Sequence, residues 1–233
     1  MPKPLKLHPD RLFPADPETR AVARRLYAEV KDLPIVSPHD PSWFALNEPF
    51  ANPAELLITP DHYVFRMLYS QGVAMEDLGV PRADGGAVET DPRRIWRRFA
   101  ENYHLFRGTP SRIWHDWVYS EAFGIDVQLS AETADHYYDV IDAALKTDAF
   151  RPRALFDRYN IEVITTTESP LDELKHHQAI RDSGWKGRVL TAYRPDPVLD
   201  PDYEGFRDNL KVLADQTGQD TTTWAGYLEA LRV

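Results

Sequence analysis

The chain has 233 residues, enough for one large domain or two small ones with a substantial buried core. Apolar residues make up 42% and charged residues 27%, the balance of a folded globular protein, and the net charge of −10 excludes general affinity for nucleic acid, which needs a positive footprint. The absence of cysteine excludes disulfides, thiolate metal sites and cysteine nucleophiles. No stretch approaches the roughly 18 consecutive apolar residues of a membrane span. The opening "MPKPLKLHPDRLFP" lacks the apolar core of a secretory signal, so a cytoplasmic location is expected.

After this Pro-rich start, "DPETRAVARRLYAEVKDL" (Asp16–Leu33) reads as a helix. Asp16 is its cap, Pro17 stands in the first turn, and Ala21, Ala23, Leu26, Tyr27 and Val30 form a helical stripe. The apolar run Leu33–His39 reads as a short strand ending on a histidine. From about 44 to 155 the periodicity is helical, broken by Pro and Gly, with segments Asn52–Leu57, Pro60–Gln71, Ala74–Leu78, Asp91–Tyr103, Pro110–Glu121 and Ala131–Thr147 and no convincing strand. "IEVITTT" (161–167) is β-branched and apolar, a buried strand. A helix is expected over 169–184, with Ser169 as cap, Pro170 at its first position and Gly184 as its stop. A second apolar run covers 187–196, and another helix 200–218. Strand–helix–strand–helix with short loops predicts parallel strands in an α/β architecture.

Three of these strands end on polar groups: His39, Thr165–Thr166–Thr167–Glu168, and Tyr193–Arg194. If they lie parallel in one sheet, those ends share a face, and a His, a carboxylate and an Arg there suit an anionic substrate, with or without a metal. Each has a plainer alternative. A histidine at a strand end is more often a hydrogen-bonded structural group than a ligand. Tyr63, Phe65, Met67 and Leu68 read first as core, and Arg194 reads equally as a surface ion pair with a nearby aspartate. Arg93, Arg94, Arg97 and Arg98, set around Trp96 and Phe99, make an amphipathic helix with a basic solvent face rather than a nucleic-acid helix. His176 and His177 are adjacent in a helix and diverge by about 100°, so they cannot readily chelate one ion together. They read as structural, with one free to turn toward the strand ends.

Four segments in order, "RRLYAEVKDLPIVSPH", "ITPDHYVFRMLYSQGV", "ITTTESPLDELKHHQAIRDSG" and "VLTAYRPD", resemble uronate isomerase, a family of (β/α)8 TIM-barrel enzymes in the amidohydrolase superfamily. The resemblance implies an α/β barrel with a large helical insertion after its first strand, divided as 1–43 (N-terminal helix and first strand), 44–155 (insertion) and 156–233 (further β/α units). It implies an aldose–ketose isomerase interconverting D-glucuronate with D-fructuronate and D-galacturonate with D-tagaturonate. It also implies a divalent metal, Zn or alternatively Mn, bound at His39; a proton-shuttling role for Tyr63; a substrate-side role for His62; and a carboxylate clamp at Arg194. A hexuronate is then the partner, with no nucleic acid and no membrane, in a homo-oligomer.

Two departures stand out. The family's first strand ends H-x-H, whereas His39 is followed at once by Asp40 and Pro41, and the match covers about half a family length. Residues missing after His39, and a continuation bringing another histidine, an aspartate and a further arginine, are therefore expected. The rival expectations are a metal-dependent hydrolase of the same superfamily and, at face value, a non-catalytic helical binding module.

Overall fold

Proline behind a small polar cap starts four of the helices in the computed structural model, which describes residues 2–38 and 42–232. Asp16 accepts from the Thr19 N–H at 2.8 Å and opens α1 (Pro17–Val30). The next elements are strand β1 (Ile35–Pro38) and the short helix α2 (Ser42–Leu46). Asn52 accepts from Glu55 N–H at the start of α3 (Pro53–Leu57), and Asp61 from Tyr63 N–H at the start of α4 (His62–Ser70). Asp91 and Thr109 do the same for α5 (Pro92–Glu101) and α6 (Pro110–Trp117). A side-chain oxygen satisfies an orphan N–H, and proline loses nothing where no N–H partner exists.

Beyond α6 lies a π turn, Val118–Ala122, then α7 (Ala134–Leu145) and α8 (Pro152–Arg158). The remaining elements are β2 (Ile161–Glu168), α9 (Lys175–Asp182), β3 (Arg188–Tyr193), α10 (Asp196–Leu199), α11 (Phe206–Thr217) and α12 (Trp224–Ala230). The chain divides into two units, Met1–Asp32 with Glu48–Ala154, and Leu33–Asn47 with Leu155–Val233.

The first unit is helical, and its one β-bridge among the described residues joins Pro4 to Val127. Its core is aromatic: Trp96, Phe99, Tyr103, Phe106, Tyr119 and Tyr137 are fully buried. Rings meet edge-on, Tyr119 against Tyr137 at 5.0 Å and Trp96 against Tyr119 at 6.2 Å, the geometry that ring quadrupoles favour. The indole N–H of Trp96 donates to the Ala134 carbonyl at 2.9 Å, so burial leaves no unpaired donor there. The arginines of α5 do more than face solvent. Arg97 forks onto Asp135 with both bonds at 2.9 Å, Arg93 reaches Asp135 and Asp139, and the Arg93 guanidinium lies 4.1 Å from the Tyr138 ring centroid. The apolar stripe expected on α1 is not buried within its unit: Leu26, Tyr27 and Val30 are all exposed.

The second unit carries one parallel sheet of order β1-β2-β3, the arrangement predicted from the strand–helix alternation. Side chains alternate across a strand, so Ile164, Thr166 and Glu168 share one face of β2. Ile164 packs there with Phe44, Phe156 and Ile180 of α9. A smaller cluster joins Val198, Leu213 and Ala230.

The helix expected to take Pro170 as its first residue begins five residues later, at Lys175. Ser169 accepts from Leu171 N–H, its carbonyl from Asp172 N–H, and the Asp172 carboxylate from Leu174 N–H at 2.6 Å. These local bonds give the backbone an alternative to the helix, and Leu174, at φ +54°, ends the turn in the left-handed region. The helix expected from 200 likewise starts at Phe206, after a left-handed Gly205.

Candidate active site

Parallel pairing brings the C-terminal ends of β2 and β3 into register, Glu168 opposite Tyr193. On the other side, Pro38 of β1 aligns with Thr165. His39, the expected metal ligand, lies outside the described residues. Arg194 follows Tyr193 at the end of β3, and its main-chain N–H donates to the Glu168 carbonyl at 3.2 Å. Its guanidinium side chain is 63% exposed, with Nε 3.8 Å from an Asp196 carboxylate oxygen. That contact is long and solvated, so it holds the guanidinium weakly and leaves most of its donors for an incoming anion.

Below Arg194 the sheet end carries a hydrogen-bonded group in which His177, of the pair read as structural with one free to turn toward the strand ends, meets Thr166 and Glu168. The Thr166 hydroxyl is fully buried and contacts three atoms: a Glu168 carboxylate oxygen at 2.8 Å, His177 Nε2 at 2.9 Å and the Leu190 carbonyl at 3.2 Å. The other Glu168 oxygen lies 3.8 Å from His177 Nε2, and both side chains are about nine-tenths buried. The geometry follows from register. Ile180 of α9 packs over Ile164, and His177, three residues earlier on the same helix face, falls over Thr166 and Glu168. The polar Thr166 and Glu168, in the same inward alternation as Ile164, were the available signal.

Tyr63 and His62 open α4 in the first unit. Val64 and Leu68 carry the buried side of that helix, whereas Tyr63 is 64% exposed, so the core reading of Tyr63 fails. Its ring stacks on His62, centroids 4.1 Å apart and tilted by 34°. An exposed phenol paired with an imidazole has both a donor and an acceptor for a sugar hydroxyl.

For a metal, the donor chemistry is not met by what is described: among the described residues no group of three or more His, Asp or Glu side chains could hold an ion. His177 and Glu168 are spoken for by Thr166.

Residues 18–233 match the glucuronate isomerase family. Uronate isomerases from Sphingopyxis alaskensis and Xanthomonas axonopodis pv. citri are 64% and 63% identical over 100% and 98% of this chain, which covers 50% and 49% of theirs. The crystal structure of glucuronate isomerase from Caulobacter crescentus superposes with a TM-score of 0.91 at 57% identity, over 99% of this chain and 48% of that one. Uronate isomerase from Thermotoga maritima gives a TM-score of 0.78 at 28% identity, over 91% of this chain and 45% of that one. The chain thus spans about half the length of the curated relatives it matches. With the family match covering nearly the whole sequence and the fold shared at high identity, the chain belongs to the glucuronate isomerase family.

Proposed function

We propose that the protein carrying this chain is an aldose–ketose isomerase of hexuronates, converting D-glucuronate to D-fructuronate and D-galacturonate to D-tagaturonate. The observation that carries it is the family match over residues 18–233. The geometry adds support, because a substrate whose invariant feature is a carboxylate suits the available fork of Arg194. The reaction removes the proton from C2, protonates the aldehyde oxygen to give an enediol, returns a proton to C1 and takes the one on the C2 hydroxyl. Tyr63 is assigned the proton exchange at a reacting oxygen, with His62 beside it on the substrate side. Arg194 is assigned the carboxylate.

The proposal further includes a (β/α)8 barrel to which the three parallel strands belong, with the divisions 1–43, 44–155 and 156–233. It includes a divalent metal, Zn or Mn, taking His39 as one ligand and donors that are not among the described residues. No described helix is long and apolar enough to cross a membrane. A cytoplasmic homo-oligomer completes the proposal. Neither the hydrolase nor the non-catalytic module gains support from the relatives' names.

Incubating the intact protein with D-glucuronate or D-galacturonate and assaying the ketose tests the reading. Turnover of either is expected, and no turnover with Zn²⁺ or Mn²⁺ supplied sinks it. Light scattering of the same preparation reports the oligomer.

A further inference from the structure

We infer that Thr166, Glu168 and His177 form a positioning unit that fixes the main chain holding Arg194, and so sets the affinity for the substrate carboxylate. The inference rests on the isomerase reading for the identity of the anion, but the unit itself is a matter of hydrogen-bond accounting. A threonine hydroxyl has one proton to give and two lone pairs. Thr166 has a carboxylate oxygen at 2.8 Å and a carbonyl at 3.2 Å as rival acceptors. The shorter, charge-assisted bond to Glu168 takes the proton. The contact with His177 at 2.9 Å must then run the other way, with Nε2–H as donor, since Nε2 lies too far from Glu168 to bond it directly. One chain of bonds results: imidazole to hydroxyl to carboxylate.

The chain of bonds has a mechanical output. Glu168 is the last residue of β2, where a strand end would otherwise fray, and its side chain is held from below by Thr166. Its main-chain carbonyl is the acceptor for the Arg194 N–H at 3.2 Å. Among the described residues Arg194 has no other anchor of comparable quality, because its side chain is 63% exposed and its ion pair with Asp196 is at 3.8 Å. Loss of the Thr166 hydroxyl leaves a nearly buried carboxylate short of a donor, and the simplest relief is for the β2 end to move out toward water, taking the Arg194 main chain with it. None of the three side chains is asked to touch the substrate. They act through Arg194.

The test is kinetic and uses the intact protein with D-glucuronate and D-galacturonate. Thr166→Val is expected to raise KM about tenfold with kcat within about twofold, the signature of lost ground-state binding. Thr166→Ser, which keeps the hydroxyl, is expected to restore KM. In an Arg194→Met background, Thr166→Val should add nothing further to KM, because both changes remove the same interaction. If Thr166→Val does not fold, His177→Leu carries the same expectations. An unchanged KM, a fall in kcat at constant KM, a serine variant that fails to rescue, or additive effects with Arg194→Met each overturn the inference while leaving the isomerase reading intact. Wild-type protein without activity on either hexuronate overturns both.

Discussion

The rings of His62 and Tyr63 stack at 4.1 Å at the first turn of α4, on the side of the helix away from buried Val64 and Leu68. The tyrosine is therefore held without being part of the core. Tyr63→Phe keeps the stack and removes only the hydroxyl. The intact protein should lose at least about a hundredfold in kcat, the scale of general acid–base catalysis. Its stability should stay within about 0.5 kcal/mol of wild type, as for other exposed positions. Steady-state kinetics and urea titration check the two halves separately, and full activity in the variant rejects the assignment.

Arg194→Lys should be a poor replacement. Lysine keeps the charge but not the planar fork, so KM for hexuronates should rise by about tenfold or more. Because the Asp196 contact is exposed and long, the variant should melt where the wild type does. An unchanged KM removes Arg194 from the substrate site.

His115 makes a pH prediction for the first unit. Desolvation holds its imidazole below the ordinary histidine value of 6.5, against smaller raising effects from Asp61, Asp116 and a backbone hydrogen bond with Leu57, while Arg112 lowers it further. Its Nδ1 is buried without a hydrogen-bond partner. The folded state thus binds fewer protons than the unfolded chain below pH 6.5. Stability is full above that pH and falls as acid is added, at up to about 1.4 kcal/mol per pH unit until the folded group titrates. Thermal melts between pH 7 and 5 should show this slope in wild type and a flatter one in His115→Asn. Equal slopes would show that His115 is not the group responsible.

Two neighbours in the aromatic core should respond in opposite ways. Trp96→Ala removes a fully buried ring and the donor to Ala134, and should cost about 3–5 kcal/mol. The Tyr119 hydroxyl is buried with no hydrogen-bond partner, and burial raises its phenol far above the usual range. Tyr119→Phe deletes an unsatisfied polar atom and should gain about 1 kcal/mol. Chemical denaturation of both variants checks the pair, and a destabilised Tyr119→Phe would mean that the hydroxyl is bonded after all.

Cap chemistry was readable in the sequence because it is local. Asp16–Pro17 starts a helix where the residues say it should, and the segments from Asn52, Asp91 and Pro110 hold helices as well. Ser169–Pro170 carries the same signature and fails, since Asp172 offers the backbone a tighter turn. The parallel sheet was legible from the rhythm of β2, α9 and β3. The Thr166–His177 contact was not, because it depends on which turn of α9 sits over which residue of β2, a register set by Ile180 on Ile164. Tyr63 was ambiguous for a similar reason. Only the three-dimensional face of α4 tells it apart from Val64 beside it. The sequence left Arg194 open between a carboxylate fork and an ion pair with a nearby aspartate, and the long 3.8 Å contact with Asp196 depends on a distance that residue order does not carry.

The pairing of β1 with β2 carries a kinetic consequence. Ile35 pairs with Ile161 and its N–H donates to the Asn160 carbonyl at 2.9 Å, so the helical stretch from Glu48 to Ala154 is a loop that must close before this edge of the sheet can exist. Closure of so long a loop is entropically slow unless something shortens it, and the helical unit shortens it by collapsing on its own largely local contacts. Order of assembly follows from that: β2 and β3, close in sequence, zip early, and β1 joins last. Pulse-labelling hydrogen exchange during refolding should find the Ile164 and Thr166 amides protected before those of Ile35 and Ser37.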